Sequence, residues 1–377
     1  MRIALFSGNY NYIREGANQA LNRLVRYAED QGHEVRVYSP ITKTPAFKPE
    51  GTLVPVPSIA LPRRSEFRLA LGLPRAIRND IRRFAPDLIH VSTPDILNTR
   101  AQSFARELRT PIVASMHTRF ETYFDYYGLG WATPLARAHL DRFYRRSDHV
   151  LAPTPAIVAQ MKRARGDEKV SLWSRGIDRS LFDPRKRDRE WRRAQGWSND
   201  DIVVLFFGRL VLEKGVRDFV AIVEELRGQG ADVKPLVVGE GPARSEFAKL
   251  RDARMTGHLD GTDLARAVAS SDILVHPSST EAFGNVLLEA MACGLASISA
   301  ETDSSRSLID HEVSGLLCTP GDIPCFAREL TRLVADPKRR RELGSKARAA
   351  SRRFDWNAAS ASAMNAYLSV VKRRSGS

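Results

Sequence analysis
The run His276-Pro277-Ser278-Ser279-Thr280-Glu281-Ala282-Phe283-Gly284-Asn285-Val286-Leu287-Leu288-Glu289-Ala290-Met291-Ala292-Cys293-Gly294 lies in the C-terminal half of a 377-residue chain. Ahead of it, Asp272-Ile273-Leu274-Val275 has the apolar continuity of a short buried strand. Gly284-Asn285 then opens a helix, with Val286, Leu287, Ala290 and Met291 on one stripe and Gly294 placed to stop it. Glu281 stands in the loop before this helix, and Glu289 stands inside it. A helix N-terminus offers unpaired N–H groups and the positive end of a dipole, which suits a phosphate. A carboxylate in such a site accepts from sugar hydroxyls. Two glutamates on a solvated helix are also commonplace, so the rest of the chain has to decide.

Working outward, residues 1–180 alternate strand-like and helix-like patterns. Residues 3–6, 35–38, 87–91 and 112–115 read as strands, and Gly16-Ala17-Asn18-Gln19 leads into a helix with Leu21, Leu24, Val25 and Ala28 on one face. A second series follows the charged segment 183–190, with strands at 202–207, 234–238 and 273–276, each leading through a Gly-bearing loop into a helical pattern. Buried strands alternating with helices imply an α/β fold of parallel, doubly wound sheets, with the binding edge at the strands' carboxyl ends. The length calls for two domains. The expected division is 1–185, 186–355 and a closing helix over 356–377 whose last residues are loose.

Hydrophobic content of 43% and charged content of 27% fit a soluble globular protein. Three cysteines without metal-ligand spacing argue against a disulfide framework and for a reducing, cytoplasmic setting. Residues 1–6 read as a strand rather than a signal peptide, and no apolar run approaches the roughly 18 residues of a membrane span. Residues 1–185 hold 29 Lys+Arg against 18 Asp+Glu, so most of the net charge of +14 sits in the first half. Nucleic acid, an anionic membrane surface and plain solvation would each account for it.

Several strand-end motifs join the opening run. Phe206-Phe207-Gly208-Arg209-Leu210-Val211-Leu212-Glu213-Lys214-Gly215 leaves a strand with two cations, Arg209 and Lys214, able to meet one anion. Val237-Val238-Gly239-Glu240-Gly241-Pro242 and Met255-Thr256-Gly257-His258-Leu259 are further strand-end turns. In the first half, Ser115-Met116-His117-Thr118-Arg119 ends a strand, and the polar-aromatic residues Tyr123, Asp125, Tyr126 and Tyr127 follow.

Together these motifs resemble the retaining glycosyltransferases of family 4, over roughly residues 1–370, with Glu281 and Glu289 matching that family's Glu-x7-Glu pair. The segment from His117 through Tyr127, and Ser174-Arg175-Gly176-Ile177-Asp178, resemble its α-mannosyltransferase and sulfoquinovosyl-diacylglycerol synthase branch. The resemblance implies the GT-B architecture, two Rossmann-like domains facing a cleft, with the acceptor on the first and the nucleotide sugar on the second. It assigns the donor to Gly16, Arg209, Lys214, Gly239, His258, Glu281, Phe283, Gly284, Asn285 and Glu289. Glu289 would take the ribose hydroxyls, Glu281 the sugar hydroxyls, and Arg209 with Lys214 the departing diphosphate. His117 would position the sugar, and Arg119, Tyr123, Tyr126 and Arg175 are acceptor candidates. The chemistry would be retaining and would need no metal or other cofactor, because cationic side chains stabilise the leaving group and no Asp-x-Asp stands at a strand end. Two departures stand out: Ala17 replaces the second glycine after Gly16, and Asp303-Ser304-Ser305-Arg306 replaces a glycine pair, where Arg306 could meet an acidic sugar.

Residues 61–84 carry seven arginines interleaved with apolar residues. Membrane contact is the expectation for 61–73, and a core-packed helix with an Arg-rich outer face for 75–84. With the family's lipid-modifying branch in view, the expected acceptor is a membrane lipid, reached by an enzyme peripheral to the inner face of the cytoplasmic membrane. A soluble mannosyltransferase is the alternative. A Gly-x-Gly-x-x-Gly dinucleotide turn is lacking after the first strand, and no nucleic-acid recognition motif is present.

Overall fold
A computed structural model describes residues 1–13, 15–61, 64–119, 122, 126, 128, 130–250 and 252–375. It divides into two units, one comprising Met1–Phe124, Leu129–Arg175 and Trp356–Ser377, the other Asp125–Gly128 and Gly176–Asp355. The boundary therefore falls before the charged segment rather than at 185. The reason is packing: Ile177 and Phe182 are buried with Trp197, Val203 and Leu205 in the second unit's core.

Strand alternation builds the first unit. In β1 (Arg2–Phe6), Ile3 and Leu5 join one core while Ala4 and Phe6 join another, one on each face of the sheet. The chain continues through α1 (Gly16–Asp30), β2 (Glu34–Ser39), β3 (Thr52–Pro55), β4 (Ser58–Leu61), β5 (Arg64–Ala70), α2 (Arg75–Phe84), β6 (Leu88–Val91), α3 (Ile96–Glu107), β7 (Ile112–Ser115), α4 (Thr133–Arg145), β8 (His149–Ala152), α5 (Pro155–Arg165) and β9 (Val170–Leu172). Seven strands form a parallel sheet in the order β3-β2-β1-β6-β7-β8-β9. The order reverses at β1, so the carboxyl ends there face a topological switch point.

The second unit repeats the plan with α6 (Arg189–Ala194), β10 (Val203–Phe207), α7 (Val216–Gly228), β11 (Lys234–Val238), β12 (Arg254–Gly257), α8 (Gly261–Ala269), β13 (Ile273–His276), α9 (Asn285–Ala292), β14 (Ala296–Ala300), α10 (Asp303–Leu308), β15 (Leu316–Cys318), α11 (Ile323–Ala335) and α12 (Pro337–Ser351). Its parallel sheet runs β12-β11-β10-β13-β14-β15, with the switch between β10 and β13. Val203, Leu205 and Phe207 of β10 serve one core, Val204 and Phe206 the other. The closing helix α13 (Trp356–Ser375) returns to the first unit, where Ala359, Ala363, Met364, Tyr367 and Val370 pack with Leu21, Leu24 and Val25 of α1.

The arginine-rich stretch takes two forms. Strands β4 and β5 pair antiparallel as a separate hairpin, with Ile59 opposite Leu69, and leave Ile59, Leu61 and Leu71 exposed. Helix α2 buries Ile77, Ile81 and Phe84, while Arg82 and Arg83 lie outside, as a core-packed helix does. Pro62 and Arg63 lie outside the described residues.

Candidate functional site
In the second unit, glycines let the strand-end loops close on one another. Gly239 has φ +140°, and a Cβ there would stand 1.9 Å from the Gly208 carbonyl oxygen. Gly215, at φ +74°, allows its turn to lie on Pro277, whose Cγ a Cβ would meet at 2.8 Å. The hydroxyls of Ser278 and Thr280 both donate to the Glu213 carbonyl, at 3.2 and 3.0 Å. Thus the loops after β10 and β13 are tied together, and Lys214 is carried to Glu281.

Lys214 Nζ donates to Glu281 Oε1 at 2.6 Å, and His276 Nε2 lies 3.4 Å from the same oxygen. Burial alone would raise the Glu281 carboxyl, but the Lys214 charge and the His276 ring outweigh it, so the carboxyl is held well below the usual carboxylate range. His276 belongs to the opening run, yet its role escaped sequence reading. The signal was available: it ends β13 as His117 closely follows β7.

Gly284, at φ +98°, caps α9 in the left-handed region. Its first-turn N–H groups point back toward the Glu281 loop, as at any helix start. The helix ends as the sequence implies, with Gly294 N–H donating to Met291 O and Leu295 N–H to Ala290 O. Glu289, half-buried within α9, has its carboxyl pushed up to about 8 by burial. Phe283 is buried, Arg209 and Asn285 are half-buried, and His258 is exposed at the end of β12.

The first unit assembles a different set. His117 Nε2 meets Ser115 Oγ at 2.8 Å, and Arg175 Nη2 donates to His117 Nδ1 at 3.0 Å. Burial, then the Arg175 charge, then His90 push the His117 imidazole well below its ordinary range, so it is neutral. Arg175 is 3% exposed. Arg119 is half-buried nearby in sequence, and Gly16 opens α1. Tyr126 groups with the second unit instead, where its hydroxyl meets Ser279 Oγ at 3.1 Å. Tyr123 lies outside the described residues.

The serines at 303–306 have a structural purpose. Thr302 caps α10, the Ser305 hydroxyl completes a capping box and also donates to Ala300 O at 2.7 Å, and Arg306 pairs with Glu301 on the surface. Hydroxyls here cap the start of a helix. Among the described residues no group of three His, Cys, Asp or Glu could hold a metal ion. None of their helices is long and apolar enough to cross a membrane.

Two family models match the chain, one described as Glycosyltransferase Family 4 over residues 14–181 and one as Glycosyl transferases group 1 over residues 187–350. A sulfoquinovosyl transferase of Arabidopsis thaliana is 30% identical, across 98% of this chain and 74% of that one. A GDP-mannose-dependent alpha-mannosyltransferase of Mycolicibacterium smegmatis is 31% identical across 100% of this chain and 99% of that one. An alpha-monoglucosyldiacylglycerol synthase of Acholeplasma laidlawii is 24% identical across 84% of each chain. Among solved structures, sucrose-phosphate synthase from Thermosynechococcus elongatus has a TM-score of 0.79 at 22% identity over 99% of each chain, a likeness of fold.

Proposed function
Because the chain belongs to the family 4 glycosyltransferases and has the GT-B fold, we propose that it moves a hexose or hexuronic acid from a nucleotide sugar to a membrane lipid, with retention. The donor is UDP-glucuronate, UDP-glucose or GDP-mannose, and the acceptor a diacylglycerol, ceramide or phosphatidylinositol. The enzyme works peripherally at the inner face of the cytoplasmic membrane.

The observation that carries this reading is the Lys214–Glu281 pair at the β10/β13 switch point, beside the start of α9. An ionised carboxylate there accepts two sugar hydroxyls. The donor diphosphate, arriving over Arg209 and Lys214, draws the Lys214 ammonium from Glu281 onto a phosphate oxygen, where its charge opposes the negative charge of the departing group. Glu289 takes the ribose. The cationic side chains supply what a metal would otherwise supply. Both nitrogens of His117 have protein partners, so His117 orients the sugar's surroundings and takes no proton. The acceptor hydroxyl attacks the face that the diphosphate leaves: the C1–O bond to the diphosphate breaks as the new C1–O bond forms, and the hydroxyl's proton passes to the departing diphosphate oxygen.

For the lipid acceptor, support comes from the similarity to an alpha-monoglucosyldiacylglycerol synthase, the basic first half, and the exposed Ile59, Leu61 and Leu71 within it. A second reading, mannosyl transfer from GDP-mannose to a soluble acceptor, is favoured by the full-length match to the mannosyltransferase. Radiolabelled sugar nucleotides incubated with anionic liposomes decide between them. Label entering the lipid phase with wild type but not Glu281→Ala supports the glycolipid reading and names the donor. Label appearing only in added soluble sugars replaces it with the second reading, and no turnover of any donor removes both.

A further inference from the structure
A buried chain of side chains runs from the closing helix to His117. Tyr367 Oη of α13 lies 2.5 Å from His90 Nδ1, and His90 Nε2 lies 2.7 Å from Ser115 Oγ. Ser115 Oγ then meets His117 Nε2 at 2.8 Å, and His117 Nδ1 meets Arg175. Tyr367, His90 and Ser115 are each at most 1% exposed. These residues are scattered from 90 to 367, and His90 and Tyr367 stand in none of the sequence motifs.

Donor capacity fixes the His117 tautomer. A guanidinium can only donate, so His117 Nδ1 presents a lone pair to Arg175, and the neutral ring carries its proton on Nε2. That proton goes to Ser115 Oγ. His90, also neutral, with burial pushing its pKa to about 3, must donate from one nitrogen and accept at the other. It therefore needs the hydroxyls of both Ser115 and Tyr367. Trp173 closes the cluster: its ring packs edge-on to His90 and His117, at 6.1 and 5.3 Å between centroids, and carries the Arg175 guanidinium 5.0 Å from its centre.

Arg175 itself is unusual among the described arginines. Arg192 and Arg165, equally buried, pair with Asp272 and Asp167. Arg175 instead donates to the Trp173 and Ser174 carbonyls and to a neutral imidazole. Its orientation thus depends on His117 holding a lone pair toward it.

We infer that Tyr367 is a positioning residue for glycosyl transfer, acting through His90 and Ser115 to hold the His117 ring, and with it the Arg175 guanidinium, in place. The inference rests on the reading of His117 as adjoining the transferred sugar. The C-terminal helix is then part of the active-site support as well as of the first unit's core.

Histidine side-chain nitrogen NMR on the full chain, with kinetics, tests it. Wild type should show one His117 species, protonated on Nε2. Tyr367→Phe keeps the ring and loses only the hydroxyl. It should leave His117 protonated on Nε2 but shift the His90 and His117 ring-nitrogen resonances, and lower kcat roughly tenfold, with the donor KM within about twofold because Arg209, Lys214 and Glu289 are untouched. Ser115→Ala should do the same, and Ser115→Thr, which keeps a hydroxyl, should restore both readouts. Wild-type His117 protonated on Nδ1 would overturn the relay, as would a Tyr367→Phe protein with unchanged spectrum and kcat. Should wild type turn over no nucleotide sugar, the functional reading fails, and with it the assigned role, while the spectrum still judges the relay.

Discussion

The two units prepare their strand-end polar groups in opposite ways. In the second, Glu281 is ionised and paired with Lys214. In the first, His117 is neutral and faces a guanidinium that has carbonyls and imidazole for company. A charged pair can exchange partners, so Lys214 is able to leave Glu281 for a phosphate. A relay of neutral groups with both ends committed has nothing to exchange, and its contribution is position. Under the proposed function, this difference gives the chemistry to one edge and the positioning to the other.

That assignment ranks the variants. Glu281→Gln should cost the most, on the order of 10³-fold in kcat, since it removes an interaction aimed at the reacting sugar and strands Lys214. Initial rates with the preferred donor measure it, and a loss smaller than that of His117→Gln would reverse the ranking. Next comes Lys214→Met, at about 10²-fold in kcat. It also has a stability signature. The depressed Glu281 pKa contributes stability that is present above the ordinary value of 4.5 and lost as pH falls toward the folded value. The Tm deficit of Lys214→Met should therefore narrow between pH 6 and pH 3.

Glu289→Gln sharpens the contrast from the other side. Its folded carboxyl, at about 8, keeps a proton that the unfolded chain gives up near 4.5, so stability falls as pH rises through that window. The variant should bind nucleotide about tenfold more weakly yet gain Tm over wild type at pH 9, with the gain gone at pH 4. Titration calorimetry and thermal melts read the two effects separately. The smallest effect belongs to Ser305→Ala, which removes half of a capping box and should cost about 1 kcal/mol of stability without altering the choice among donors. A change in donor preference would put the 303–306 turn in the sugar site.

Much of the second unit's candidate site could be proposed from sequence because it is local. The run 276–294 supplies His276, Glu281, the α9 start and Glu289 in one stretch, and Gly208 to Gly215 supply the facing loop. Strand periodicity likewise gave β1, β2, β6, β7, β10, β11 and β13. What escaped was whatever tertiary packing decides. Nothing near Tyr367 in sequence shows that α13 brings it to His90. The expected boundary fell at 185, but Ile177 and Phe182 are buried in the second unit's core, which puts the division ahead of the charged segment 183–190. Ser58–Leu61 pairs antiparallel with Arg64–Ala70, which a count of arginines does not reveal. At 303–306, the residue types alone do not reveal that Thr302 and Ser305 form the capping box of α10.

In the proposed reaction Arg209, Lys214 and Glu281 act on the leaving diphosphate and hold the sugar, and none of them serves as an inverting base. The most direct test is the anomeric configuration of the first-formed product from an α-linked donor, read by proton NMR before any product equilibrates. The account predicts an α-linked product. A β-linked product would contradict it and require a base on the opposite face of the sugar.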